Sequence, residues 1–442
     1  MDGPTQARAE SSIPAGRQLG LVALTALVLG NMVGSGIFLL PSALAPYGGV
    51  SVLGWLVSAA GSMAFGLVIA RLARRAPAVG GPYAYTREAF GEFAAFLVGW
   101  GYWISCWQAQ AAIAVAMVGY LGTLVPFVAA HPLLVALGSI VLLAGVNVAG
   151  VREAGAVQVA TTLLKLLPLL AIALFGFARF EPTHFAPFNP TGKGLGSATL
   201  GCLALTLWAF QGFESASIAA GEVRDARRNV PRATLIGIGC ATLLYVASTL
   251  AVMGLVPREE LATSTAPFAD AAVRLWGPSA GKLVAIGGFV SCFGALNGWI
   301  LVAGRMPLAI ARDGLFPAWF ARLSPRGTPA VALLLSCALA CGLVLARYTG
   351  SLVAMFEGMT VLATLSALVP FVFCAAADVL LSARDRAAEA GRPSRTATPL
   401  ALLAFAYGLF TIAGAGAENV MWGFLLLLGG IPVYVLARIR HP

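Results

Sequence analysis

Of the 442 residues, 59% are hydrophobic and only 10% are charged, whereas a soluble globular chain carries roughly 25% charged residues. That composition excludes a soluble domain and describes a polytopic membrane protein. The net charge of +10 would suit an acidic partner such as nucleic acid, but the placement of the basic residues gives it another meaning.

Residues 1–18 are polar and mix acidic with basic side chains, without the apolar core of a signal peptide, and read as a cytoplasmic tail. A helix needs about 20 mostly apolar residues to cross the hydrocarbon core. That measure gives about twelve spans, near 20–45, 49–70, 92–124, 132–150, 156–178, 197–221, 233–256, 281–310, 329–346, 351–381, 399–416 and 419–437. With the N-terminus (Arg8, Arg17) in the cytoplasm, Arg71, Arg74, Arg75, Arg87, Arg152, Arg224, Arg227, Arg228, Arg232, Arg312, Arg322, Arg326, Arg384, Arg386, Arg392, Arg395, Arg438 and Arg440 fall on that side, while the other side keeps only Arg179, Lys193, Arg258, Arg274, Lys282 and Arg347. An excess of basic residues on the cytoplasmic loops fixes orientation. It places both termini in the cytoplasm of an inner-membrane protein and makes nucleic acid an unneeded partner. The seven cysteines lie in apolar runs without paired ligand spacing, so neither a metal nor another cofactor is expected.

The first span is interrupted at Gly34-Ser35-Gly36. Unwinding a helix in lipid is tolerated only where the freed backbone faces protein or a water-filled cavity. Asn31, Met32, Ser35 and Gly36 would then surround a ligand at the N-terminus of the half-helix starting near Ile37, where the helix dipole favours an anion such as a carboxylate. Close helix packing through Gly30 and Gly34 is the plainer alternative. After the second span comes Gly80-Gly81-Pro82-Tyr83, leading into Tyr85-Thr86-Arg87-Glu88, a turn with an interfacial helix or part of an inward gate. On the third span Cys106 and Gln110 stand one turn apart, on roughly the side that Tyr102 and Trp103 share. The Gln110 amide needs partners, either in a substrate or on a neighbouring helix.

Lys165 lies in the middle of the fifth span, too deep to snorkel. Its ammonium must find carbonyls or an acid, or lose its proton through desolvation: it takes the place of a coupling cation against the unwound first helix, carries the proton itself, or is a fixed structural charge. The sixth span breaks at Gln211-Gly212-Phe213-Glu214, after Trp208. An unpartnered acid at that depth costs roughly 2.5–3.5 kcal/mol on insertion scales, so Glu214 is a proton-linked gate or an interhelical anchor. Trp208 and, on the eighth span, Trp299 are packing aromatics or walls on which a cationic side chain stacks. Asp313-Gly314-Leu315-Phe316-Pro317 follows that span, and the stretch 257–280 reads as a polar loop.

Two broken helices in corresponding halves point to the midplane binding site of a secondary transporter. Grouping the first ten spans as five plus five makes the broken ones first in each group, and an odd number of helices per group inverts the second. The expected architecture is an all-α membrane protein: a tail (1–18), a ten-helix inverted-repeat core with broken helices 1 and 6 (19–381), and two accessory helices with a short cytoplasmic end (382–442). No phosphate loop, His/Asp cluster or Ser-His arrangement suggests an enzyme.

From about Gly20 to Phe424 the chain resembles the amino acid, polyamine and organocation transporters, and within them the bacterial arginine/agmatine antiporters. The stretches that carry the likeness are Gly30-Asn31-Met32-Val33-Gly34-Ser35-Gly36-Ile37-Phe38, Gly80-Gly81-Pro82-Tyr83-Ala84-Tyr85, Tyr102-Trp103-Ile104-Ser105-Cys106-Trp107, Phe213-Glu214-Ser215-Ala216-Ser217, Arg228-Asn229-Val230-Pro231, Asp313-Gly314-Leu315-Phe316-Pro317 and Val420-Met421-Trp422. The resemblance implies a sodium-independent exchanger of an amino acid or amine, and a homodimer. It assigns Ser35 and Gly36 to the substrate carboxylate, the carbonyls of Met32, Trp208 and Gln211 to its ammonium, Trp299 to its side chain, and Trp208, Tyr102 and Glu214 to gating. The chain departs from the arginine exchangers at Gln110, Ile113, Gln211, Ala363 and Phe371. Lys165 resembles instead the lysine of neutral amino acid members, so a neutral amino acid permease is the alternative expectation.

Overall fold

The computed structural model describes residues 19–34, 36–75, 81–150, 154–218, 223–388 and 397–440, so the expected cytoplasmic tail and Ser35 lie outside the described residues. The chain runs α1 Leu21–Met32, α2 Gly36–Leu44, α3 Val50–Arg75, α4 Pro82–Phe90, α5 Glu92–Gly122, α6 Pro126–Ala130, α7 Pro132–Ala149, α8 Ala154–Phe175, α9 Leu195–Phe210 and α10 Ser215–Ile218. It continues with α11 Ala226–Leu255, α12 Arg258–Leu261, α13 Pro267–Trp276, α14 Pro278–Arg312, α15 Ala330–Ala346, α16 Leu352–Ala388, α17 Ala397–Gly414, α18 Ala417–Leu428 and α19 Gly430–Arg440. Among the described residues the one extended pairing is a bridge between Leu19 and Val223.

Among the described residues, eight helices are long and apolar enough to cross a membrane, and up to nine when the bent pair α1–α2 counts as one span. This is fewer than the twelve or so read from apolar runs. Part of the difference lies in α15 and α17, apolar but short. The chain is a multi-pass, all-α membrane protein. The stretch 257–280, read as a loop, instead holds the helix α13: Pro267 opens it, Asp270 sits in its first turn and Arg274 in its last, as the helix dipole favours.

The order of elements repeats. A broken helix and a long helix are followed by a short one, α4 or α13. A single glycine, Gly91 (φ +83°) or Gly277 (φ +89°), then leads into a very long helix, α5 or α14. The two short helices sit at opposite ends. Tyr83 of α4 donates to Asp313 beyond the C-terminus of α14 at 2.9 Å. At the other end the Phe268 amide of α13 donates to the Tyr120 hydroxyl near the C-terminus of α5 at 3.4 Å. That antisymmetry is what an inverted repeat requires. The core is filled by α5, almost wholly buried, against α14 and α16.

Candidate functional site

α1 ends because its terminal hydrogen bonds tighten. The Val33 amide donates to Leu29 at 2.8 Å, but the Gly34 amide, which would continue the helix onto Gly30, donates to Met32 at 2.8 Å. The Gly30 carbonyl is therefore left without a helical partner, as the last carbonyls of any helix are. Lys165 of α8, itself buried, reaches across and donates to it at 2.5 Å. The ammonium thus sits at the negative end of the α1 dipole. α2 leaves the break at 46° to α1.

The second break packs directly on the first. Gln211 is extended after α9, and Gly212 takes φ +111°. A side chain at Gly212 would stand 2.8 Å from the backbone carbon of Asn31, so only glycine permits this approach. Glu214 folds back onto the loop: one carboxylate oxygen accepts from the Gly212 amide at 3.0 Å and the other from the Tyr102 hydroxyl at 3.4 Å. Gly36, the first residue of α2, lies against the Trp208 indole, where an added β-carbon would be 2.7 Å from Nε1. The indole N–H of Trp208 is buried and has no hydrogen-bond partner among the described residues.

A cavity of about 620 Å³ opens from this junction. Leu27, Gly30, Asn31 and Gly34 line it from α1 and the break, Tyr102 from α5, Lys165 from α8, Gly212, Glu214 and Ser215 from the second break, and residues from Gly294 to Ala309 from α14. It therefore lies on the α1 side of the break, toward the C-terminus of α14. Beyond the break, on the α2 side, Phe38 packs edge-on against Tyr120 and Phe268 at ring distances of 5.6 Å, and all three are fully buried. A second cavity of about 470 Å³, with Tyr47, Glu357 and Arg347 in its wall, lies away from both breaks. None of the site residues read from the sequence lines it.

Of those residues the structure brings Asn31, Tyr102, Lys165, Glu214 and Trp299 to the wall of the first cavity. Met32, Gly36, Cys106, Gln110, Trp208 and Gln211 are buried outside that wall. Gln110 is turned away because its amide ties helices together: it donates to the Trp299 carbonyl at 3.5 Å and accepts from the Cys337 thiol of α15 at 3.7 Å. Cys106, one turn before it, is wholly buried. Gln211 donates to the Thr364 hydroxyl of α16 at 3.5 Å. Trp208 forms a layer behind Trp299, the two rings nearly parallel (16°) with centroids 6.5 Å apart. Apart from Trp299, the residues that α14 contributes are not among those read from the sequence. Gly294, Gly298, Val302, Arg305 and Ala309 recur at helical spacing and form one stripe on the cavity, a pattern legible in the sequence as small residues leading to a lone basic one.

The chain matches the amino acid permease family over residues 19–434. It is 32% identical to the putrescine transporter PotE of Escherichia coli (strain K12), covering 96% of this chain and 97% of that one. It is also 32% identical to a putative arginine/ornithine antiporter of Bacillus subtilis (strain 168), covering 95% and 96%. With the cadaverine/lysine antiporter of Escherichia coli (strain K12) it shares 35% identity over 72% of each chain. Two broken helices crossing at a cavity, in a chain so matched along its length, make this protein a transporter and not an enzyme, a member of the amino acid permease family of the amino acid, polyamine and organocation transporters.

Proposed function

We propose that the protein is a sodium-independent amino acid antiporter of the bacterial inner membrane, working by alternating access, with neutral amino acids as its favoured substrates. The observation that carries this reading is the bond from Lys165 to the Gly30 carbonyl. A resident ammonium occupies the helix-end carbonyl that a coupling cation, or a second cationic group of a substrate, would otherwise use. The substrate carboxylate is assigned to the N-terminus of α2, with Ser35 and Gly36. The unpartnered Trp208 N–H beside Gly36 supports that, since a buried donor of this kind needs an acceptor. With both termini cytoplasmic, as the arginine distribution implies, the cavity faces inward. Tyr102 and Glu214 then act as gating residues across its wall.

The test is counterflow in proteoliposomes. Preloaded alanine or leucine should accelerate uptake of the labelled amino acid without sodium, and Lys165→Ala should slow it at least tenfold. A strict sodium requirement, or indifference to Lys165→Ala, would contradict the reading.

A second reading, arginine/agmatine exchange, draws support from the Trp299 face on the cavity, which suits a guanidinium, and from the relative named for arginine and ornithine. It expects arginine uptake to be lost in Trp299→Ala and preserved in Lys165→Ala.

A further inference from the structure

The charged side chains in the wall of the central cavity are Lys165, Glu214 and Arg305. Two of them are already engaged, Lys165 with the Gly30 carbonyl and Glu214 with Gly212 and Tyr102. Arg305 is exposed and has no hydrogen-bond or ion-pair partner among the described residues. It is not a lipid-facing arginine reaching for headgroups, because it belongs to the stripe of α14 that faces the cavity with Gly294, Gly298, Val302 and Ala309. Seven residues beyond Gly298, it stands two turns, about 10 Å, toward the mouth. A solute that reaches or leaves the breaks from the α1 side passes it.

We propose that Arg305 is a specificity-determining residue, a charge filter at the cavity mouth that admits substrates carrying a carboxylate and no net positive charge and disfavours diamines. This rests on the amino acid exchange reading above. Two fixed cations face one carboxylate along the path, so a dication meets net repulsion while a zwitterion is attracted through its carboxylate and carries no net charge. Rejection by a fixed like charge is a common device of specificity. At about 10 Å and the effective dielectric of a half-enclosed site, one such charge shifts relative affinity by roughly tenfold per unit of substrate charge, less at high salt. Such a filter would set this chain apart from the relatives named for putrescine and cadaverine.

The experiment compares wild type, Arg305→Gln and Arg305→Lys for alanine, ornithine and putrescine. Binding is read by tryptophan fluorescence of the purified protein and exchange by counterflow, each at two ionic strengths. In wild type the preference should fall from alanine to ornithine to putrescine. Arg305→Gln should narrow the gap between alanine and putrescine, two units of substrate charge apart, by roughly a hundredfold, Arg305→Lys should keep it, and added salt should narrow it in wild type and Arg305→Lys but not in Arg305→Gln. A gap unchanged within twofold in Arg305→Gln, or a wild type that prefers putrescine, overturns the filter. A wild type that binds with the expected ranking but exchanges nothing overturns the antiport reading and leaves the filter standing, so the two failures are distinguishable.

Discussion

At the scale of residues, what matters is which polar groups the break leaves without partners and which side chains meet them. Lys165 meets the Gly30 carbonyl; Tyr102 and the Gly212 amide meet Glu214. Removing the Glu214 charge with Glu214→Gln should keep the fold, because an amide oxygen still accepts from Gly212, but should lower the exchange rate at least tenfold if Glu214 gates. An unchanged rate would make it an anchor of the loop alone. Depth and chemistry made Lys165 and Glu214 legible from sequence, since an ionisable group inside an apolar span has few innocent explanations. Gln110 was legible only as a polar group. Its partners, Trp299 and Cys337, lie on two other helices, and no local pattern says which way an amide on a buried helix will turn. Arg305 was not legible as a site residue because it lies two turns before the C-terminus of α14, where a basic side chain ordinarily reaches for the headgroups.

At the scale of elements, the two breaks hold each other. Gly212 at φ +111° presses on Asn31, so Gly212→Ala should cost about 1–3 kcal/mol through backbone strain, with the added β-carbon against Asn31 on top. A lowered thermal midpoint in detergent checks this, and a midpoint within a degree of wild type would contradict it. The segments Gly81-Pro82-Tyr83 and Asp313-Gly314-Leu315, each readable alone as a turn, become one assembly: Asp313 accepts from Tyr83 at 2.9 Å and from Arg87 at 3.4 Å. Burial and the Asp313 carboxylate hold the Tyr83 hydroxyl above its ordinary range, so it remains a donor throughout the working pH. Deeper on the same side, Arg71 of α3 pairs with Asp378 of α16, whose side chain is 4% exposed. Asp378→Ala removes the carboxylate from this largely buried pair and should cost more than the loss of an exposed pair. Asp313→Asn, at an exposed pair, should cost under about 1 kcal/mol. Thermal unfolding of both variants checks that ordering.

At the scale of the whole molecule, inversion of the second half could be counted from the number of spans, but the structural evidence for it lies in two short elements. α4 is legible as an interfacial helix after its Gly-Gly-Pro turn, whereas α13 reads as loop, because a short amphipathic helix lacks the long apolar run that marks a span. Their attachment at opposite ends, α4 to Asp313 and α13 to Tyr120, gives the fold its antisymmetry. The cavity lies on the α1 side of the breaks, while Phe38, Tyr120 and Phe268 pack together on the α2 side. Under the proposed exchange this form would be one state of an alternating cycle, and rocking the broken helices against α5, α8 and α14 would open the other side. Twelve spans could not be counted by length because helices such as α15 and α17 are short.

The most direct test of this account is sodium-free counterflow with alanine, leucine, arginine, agmatine and putrescine in wild type and Lys165→Ala. The account predicts trans-stimulated exchange of the neutral amino acids, weak or no exchange of putrescine, and loss of the neutral exchange in Lys165→Ala. Selective arginine-for-agmatine exchange that persists without Lys165 would contradict it.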